Sequence, residues 1–350
     1  MRLGLFDIHQ VDPTDPDDAA AVYRRRLDHL ALADELGFGF AFTAERHFMP
    51  GYRCPAPGAW IGAASQRTRR MRLGVLAYTL PLHPPAALAE EIAVLDHLSG
   101  GRLEVGLGLG HRPPELEAIG VDPNRRVPIF QERLAILRAL WNGGTVTLES
   151  ETTTVRGVAI HPRPVQEPHP PLWYAGTDAT AVVWMSSQGM NLAVGFAPAA
   201  RLRPATAAYT AARAEFIARD PGMAGGDVAL MRHVYLAETD EAAQAEVIED
   251  LIRIHELRDQ ASENPAGIAT SANRPDRRAA AVESAAGLIR DEMMLIGSPE
   301  TVAAGIRAAQ ETLGLTTFLA NPYATGVDDA RVERCLRLLA TDVGPRIAEA

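Results

Sequence analysis

The chain has 350 residues, 47% of them hydrophobic, with 34 basic residues (all arginine), 44 acidic ones and a formal net charge of −10. That balance argues against non-specific binding to nucleic acid or anionic membranes. Cys54 and Cys335 stand in unrelated contexts, no apolar run approaches a membrane span, and Asp7 follows too early for a signal peptide, so a reducing cytoplasm is expected.

Residues 2–9 read as a first strand. The acidic, proline-containing segment 12–18 is turn chemistry leading into a helix over 19–36, which Gly37 stops. Phe40 to Thr43 is short, apolar and aromatic, as suits a strand buried on both faces. Glu45, Arg46 and His47 follow at once. In parallel α/β folds chemistry gathers at the C-terminal ends of strands, so this triplet is a site candidate; the alternative is a solvated strand end with an Arg–Glu pair. A helix over 59–66, an apolar strand over 71–80, a helix over 86–98 and a strand over 102–107 continue the alternation.

Residues 128–141 form an amphipathic helix, and 145–160 has the alternation of an inserted surface hairpin. Prolines 162, 164, 168, 170 and 171 then impose an extended connector. Strands over 171–175, 191–195, 229–237 and 315–320, with helices between them, bring the strand total to eight. Eight βα units favour a (β/α)8 TIM barrel over an open sheet, and 350 residues fit one barrel of roughly 250 residues plus insertions. No composition shift divides residues 1–350 into two domains. Segment 258–278 lacks apolar periodicity and reads as a mobile loop. Ser298 and Pro299 cap the final helix.

Several motifs carry possible chemistry. Gly106, Gly108 and Gly110 follow a strand, but their spacing and Pro113-Pro114 rule out a dinucleotide-binding turn. They suit either a flat loop that a planar ligand can approach or a sharp turn. Gly176-Thr177-Asp178 opens a helix whose N-terminus favours a nearby anion by roughly 0.3–1 kcal/mol, and Thr177 and Thr180 would add hydroxyl donors. The alternative is an ordinary N-cap, and Asp178 opposes an anion unless it faces away. Arg125 and Arg126 are either phosphate ligands or solvated charges. His83 and His111 each end a strand, where a lone histidine is more often structural.

Taken in order, the stretch 43–48, the segment from Arg72 through Leu80-Pro81 to His83-Pro84, the run 95–102, the Gly106–Gly110 loop and the proline-rich 162–176 resemble the bacterial luciferase-like flavin-dependent monooxygenase superfamily. The resemblance covers nearly the whole chain. It implies a TIM barrel with a hairpin insertion and a late mobile loop, binding reduced FMN or the deazaflavin F420 at its C-terminal end. It implies flavin contacts from Ala77, Thr79, Gly108, Gly110 and Ala175, with a non-proline cis peptide at Leu76-Ala77. The phosphate would meet Gly176, Thr177 and Thr180, with Arg125 or Arg126 as partner. Glu45, Arg46, His47 and His111 would be catalytic. Luciferases have Glu-His-His where this chain has Glu45-Arg46-His47, so the aldehyde reaction is not expected. Arginine stays charged, which leaves His47 as the better proton shuttle.

Three functions follow. The first is an FMN-dependent monooxygenase that takes reduced flavin from a separate flavin reductase and uses O2 on a hydrophobic organic substrate, as a homodimer. The second is F420-dependent hydride transfer. The third is a non-catalytic flavin-binding partner subunit.

Overall fold

The computed structural model describes residues 1–11, 19–49, 51–220, 222, 225–263, 275–290, 293–323 and 327–348. Near-continuous apolar runs form strands buried on both faces. These are β1 (Arg2–Asp7), β2 (Phe40–Thr43), β3 (Arg72–Thr79) and β4 (Leu103–Gly108), then, beyond the hairpin strands β5 (Val146–Glu149) and β6 (Thr154–Val158), β7 (Leu172–Ala175), β8 (Asn191–Gly195), β9 (Val228–Leu236), β10 (Met294–Gly297) and β11 (Thr317–Asn321). The helices are α1 (Ala19–Leu36), α2 (Pro57–Arg67), α3 (Pro85–Ser99), α4 (Pro113–Glu117), α5 (Arg126–Trp141), α6 (Ala179–Ser187), α7 (Ala199–Arg219), α8 (Asp240–Glu263), α9 (Pro275–Arg290), α10 (Pro299–Leu313), α11 (Asp329–Leu338) and α12 (Gly344–Ala348).

Strands β1, β2, β3, β4, β7, β8, β9 and β11 pair in parallel in that order, and β11 returns to β1. The sheet therefore closes on itself as an eight-stranded (β/α)8 barrel. Its interior holds Phe6, Phe40, Phe42, Leu76, Trp173, Met231 and Leu319, while a larger apolar layer lies between the strands and the surrounding helices. The ring of Phe42 meets that of Trp173 edge-on at 5.5 Å, so both belong to the packed interior. β5 and β6 form a separate antiparallel pair after α5.

Three features differ from the sequence expectations. Residues 258–263 belong to α8 and 275–278 to α9, so the ends of the expected 258–278 loop are helical; 264–274 lie outside the described residues, as does the turn at 12–18. The apolar face of α9 is made largely of alanines, a weak hydrophobic signal, and seats Ala281 and Ala285 in a small core with Val247 and Leu251 of α8. The second difference is β10, which joins the protruding end of β9 outside the ring, Met294 opposite His233 and Gly297 opposite Leu236. The third is α4, a short helix directly after the glycine loop. Ser298 caps α10 as expected, accepting the Thr301 N–H. Among the described residues no helix is long and apolar enough to cross a membrane.

Candidate active site

β2 ends at Thr43, and the chain leaves the barrel carrying Glu45 inward, with 1% of the residue exposed. The Nε2–H groups of His47 and His83 both donate to Glu45 Oε1, at 2.8 and 2.7 Å. The Thr79 N–H donates to Oε2 at 2.5 Å. Burial pushes the Glu45 carboxyl up, but the two imidazoles and the amide outweigh it and hold the group at about 2. Hydrogen bonding to Glu45 raises the His47 pKa despite partial burial. Because the carboxylate has no proton to give, both histidines carry a proton on Nε2, and His47 gains or loses its second proton at Nδ1.

His83 stands on a short 3-10 turn after β3, gripped by Arg133 of α5. The Arg133 Nη1 donates to the carbonyls of Pro81 at 2.9 Å and His83 at 2.8 Å. Arg46 turns back to donate to the Glu45 carbonyl at 2.8 Å, and desolvation lowers its pKa. α4 brings up a second buried carboxylate, Glu115, ion-paired to Arg112 Nε at 3.1 Å. Its charge acts on both Arg46 and His47. His111 is exposed; partial desolvation and the charges of Arg46 and Arg112 lower its pKa.

Beside this cluster the Leu76-Ala77 peptide is cis, and the β3–β4 register shifts there before resuming with Tyr78 opposite Leu107 and Thr79 opposite Gly108. A Cβ on Gly106 would lie 2.3 Å from the Val75 carbonyl, so this glycine answers to close backbone packing and not to a ligand. Gly108 differs. A Cβ there would make only ordinary contact, 3.4 Å from the Ala77 Cβ. Gly110 has φ +79°, where a side chain is strained. Ala77, Thr79, Gly108 and Gly110 thus form one patch of small groups, and Ala175 stands at the neighbouring strand end. Within the patch the backbone is most open at Gly108, where a planar ring could approach it, whereas the Thr79 and Leu116 side chains stand against Gly110.

At the start of α6, Thr177 and Thr180 are exposed and Asp178 is the N-cap, accepting the Ala181 N–H at 2.8 Å. The Gly176 backbone lies against the Tyr174 ring. Arg126 exerts its charge on Tyr174, whereas Arg125 is paired with Glu151 at 2.8 Å in the hairpin turn. Of the two arginines, Arg126 is thus the one on the α6 side. Phe196 and Phe48 are exposed aromatics with φ of +54° and +55°. Phe196 packs on Phe6 at 5.9 Å and His233 at 5.1 Å.

The structure brings together Glu45, His47 and Thr79, and adds His83 and Glu115. Glu115 lies within α4, and its sequence neighbours give no sign that it faces the triplet. His83 ends a strand, but its link to Glu45 depends on β2 and β3 being neighbours.

With the barrel and this cluster described, the family can be stated: residues 1–316 match the model of the luciferase-like monooxygenases, and the chain belongs to that family. It is similar to limonene 1,2-monooxygenase of Rhodococcus erythropolis, 29% identical over 85% of this chain and 74% of that protein. It is also similar to the oxygenase component of flavin-dependent trigonelline monooxygenase of Acinetobacter baylyi, 27% identical over 70% and 67%. A monooxygenase from Streptomyces bottropensis superposes with TM-score 0.81 at 26% identity over 99% of both chains. At lower identity, the fold is shared with the FMN complex of a Pseudomonas putida diketocamphane monooxygenase (TM-score 0.77, 21%, 99% and 98%) and an F420-dependent reductase of Methanopyrus kandleri (0.69, 18%, 99% of both).

Proposed function

We propose that the protein is the oxygenase component of a two-component monooxygenase, binding reduced FMN from a separate flavin reductase and using O2 on an apolar organic substrate. The observation that carries this reading is the Glu45–His47–His83 cluster at the edge of the small-residue patch formed by Ala77, Thr79, Gly108 and Gly110. Family membership and the likeness to an oxygenase component support it. FMN, when bound, supplies the activation of O2. Ala77, Thr79, Gly108, Gly110 and Ala175 would hold the ring system, and Gly176, Thr177, Thr180 and Arg126 the phosphate. His47 holds and moves a proton at Nδ1, with Glu45 fixing its tautomer. Arg46 stays charged and offsets negative charge at the same place. Phe196 and Phe48 offer an apolar approach for the substrate.

Anaerobic titration with FMN, reduced FMN and F420 tests the reading. Tight binding of reduced FMN, followed by a long-lived absorbance change on admitting air, is expected. Preference for F420 without an oxygen reaction would move the protein to the hydride-transfer branch. Binding of neither would leave only the fold. Loss of turnover in His47→Ala, with flavin binding kept, would exclude the partner-subunit reading.

A further inference from the structure

The Glu45 carboxylate is shared unusually. Two imidazoles from different loops converge on one oxygen, Oε1, while a backbone amide takes the other. Two donors to one oxygen compete: strengthening either bond weakens the other. His47 faces Glu45, Arg46 and, from α4, Glu115 with Arg112. His83 faces Glu45, the Tyr78 ring at 5.4 Å with its hydroxyl on Glu91 of α3, and Arg133 of α5 through its own carbonyl. The Arg133 grip holds the His83 backbone in place, so the competition is built into the fold.

We propose that His83 is a positioning residue that, through Glu45 Oε1, sets the orientation and proton affinity of His47. The coupling itself is independent of the flavin assignment; only its bearing on catalysis rests on the proposed function. His83→Ala removes the competing donor, which favours protonated His47, so the His47 pKa rises, by about 1 unit. His83→Gln keeps an N–H donor and produces a smaller rise. Glu45→Leu removes the shared acceptor and uncouples the two histidines, so adding His83→Ala leaves His47 unmoved.

The measurement is imidazole NMR titration of the flavin-free full chain labelled on its ten histidines. A rise for His47 in His83→Ala that vanishes in the Glu45→Leu background supports the proposal. No change, a fall, or a rise that persists without Glu45 overturns it. The unmutated protein gives a second reading that does not depend on the variants folding. Neutral His47 and His83 are both expected as the Nε2–H tautomer, and an Nδ1–H tautomer in either overturns the proposal. A protein that binds no flavin yet shows this coupling would refute the proposed function and leave this inference intact.

Discussion

Glu45, at the C-terminal end of the barrel, and Glu104, on the opposite half of β4, are each almost wholly buried, at 1% and 4% exposure. Glu104 faces the barrel interior, accepts the Trp173 indole N–H at 2.6 Å and pairs with Arg72. Burial dominates there and raises its pKa against the pull of Arg72 and Trp173. At Glu45 three donors reverse the effect of burial. The partner of Glu104 is a permanently charged guanidinium, which makes a fixed joint. One partner of Glu45 is His47, whose pKa the carboxylate raises, so this cluster contains a group whose protonation can change.

The sharpest break of that contrast is Glu45→Ala against Glu104→Ala. Each removes one side of a buried polar cluster and should cost about 3–5 kcal/mol of stability, read by denaturant unfolding. Only Glu45→Ala should also lower turnover of the folded enzyme, by about 100-fold or more. Equal turnover losses would erase the distinction between joint and site.

The glycine loop offers the next test. Gly106→Ala forces a methyl group onto the Val75 carbonyl and should cost at least about 1–3 kcal/mol. Gly108→Ala has room, so its melting temperature should hold while affinity for reduced FMN falls.

The pH dependence sharpens the comparison further. Glu45 is held at about 2, so its contribution to stability is present above the ordinary carboxyl value near 4.5 and is lost as pH falls toward 2. The His47 pKa is raised, so its contribution is full below the ordinary imidazole value of 6.5 and is lost as pH climbs through the folded value. The stability gap between the unmutated protein and Glu45→Gln should therefore be widest between pH 4.5 and 6.5. Thermal melts across pH measure it.

The smallest effects belong to the rim. Thr177→Ala and Thr180→Ala should each weaken FMN binding by about 0.5–1.5 kcal/mol without changing the melting temperature, because both residues are exposed.

Much of the barrel was legible in the sequence because its strands are buried on both faces and read as apolar blocks. β10 was not, because its four residues run straight into the Ser298 cap and look like a lead-in to α10. Glu45 and His47 could be paired from sequence, being two residues apart. His83, 38 residues from Glu45, could be weighed only as a lone histidine until β2 and β3 were seen side by side. The aromatic residues Phe42, Tyr78 and Trp173 are buried and packed, and the Tyr78 hydroxyl donates to Glu91.

The far end of β9 has a different implication. The ring closes through eight strands without β10, and β10, α8 and α9 share a small core of their own around Tyr235 and Val247. They are grafted onto the ring through the β9 edge and through α11, whose Arg331 donates to the Glu246 carbonyl at 2.8 Å and whose Arg334 pairs with the Glu246 carboxylate. Closure of the ring needs none of β10, α8 or α9, so a change in that graft leaves the eight-stranded scaffold intact. His233, which pairs with both Asn321 and Met294, marks the graft point, and its ring reaches Phe196 at the mouth. Variation in the graft therefore has a direct route to the edge of the site.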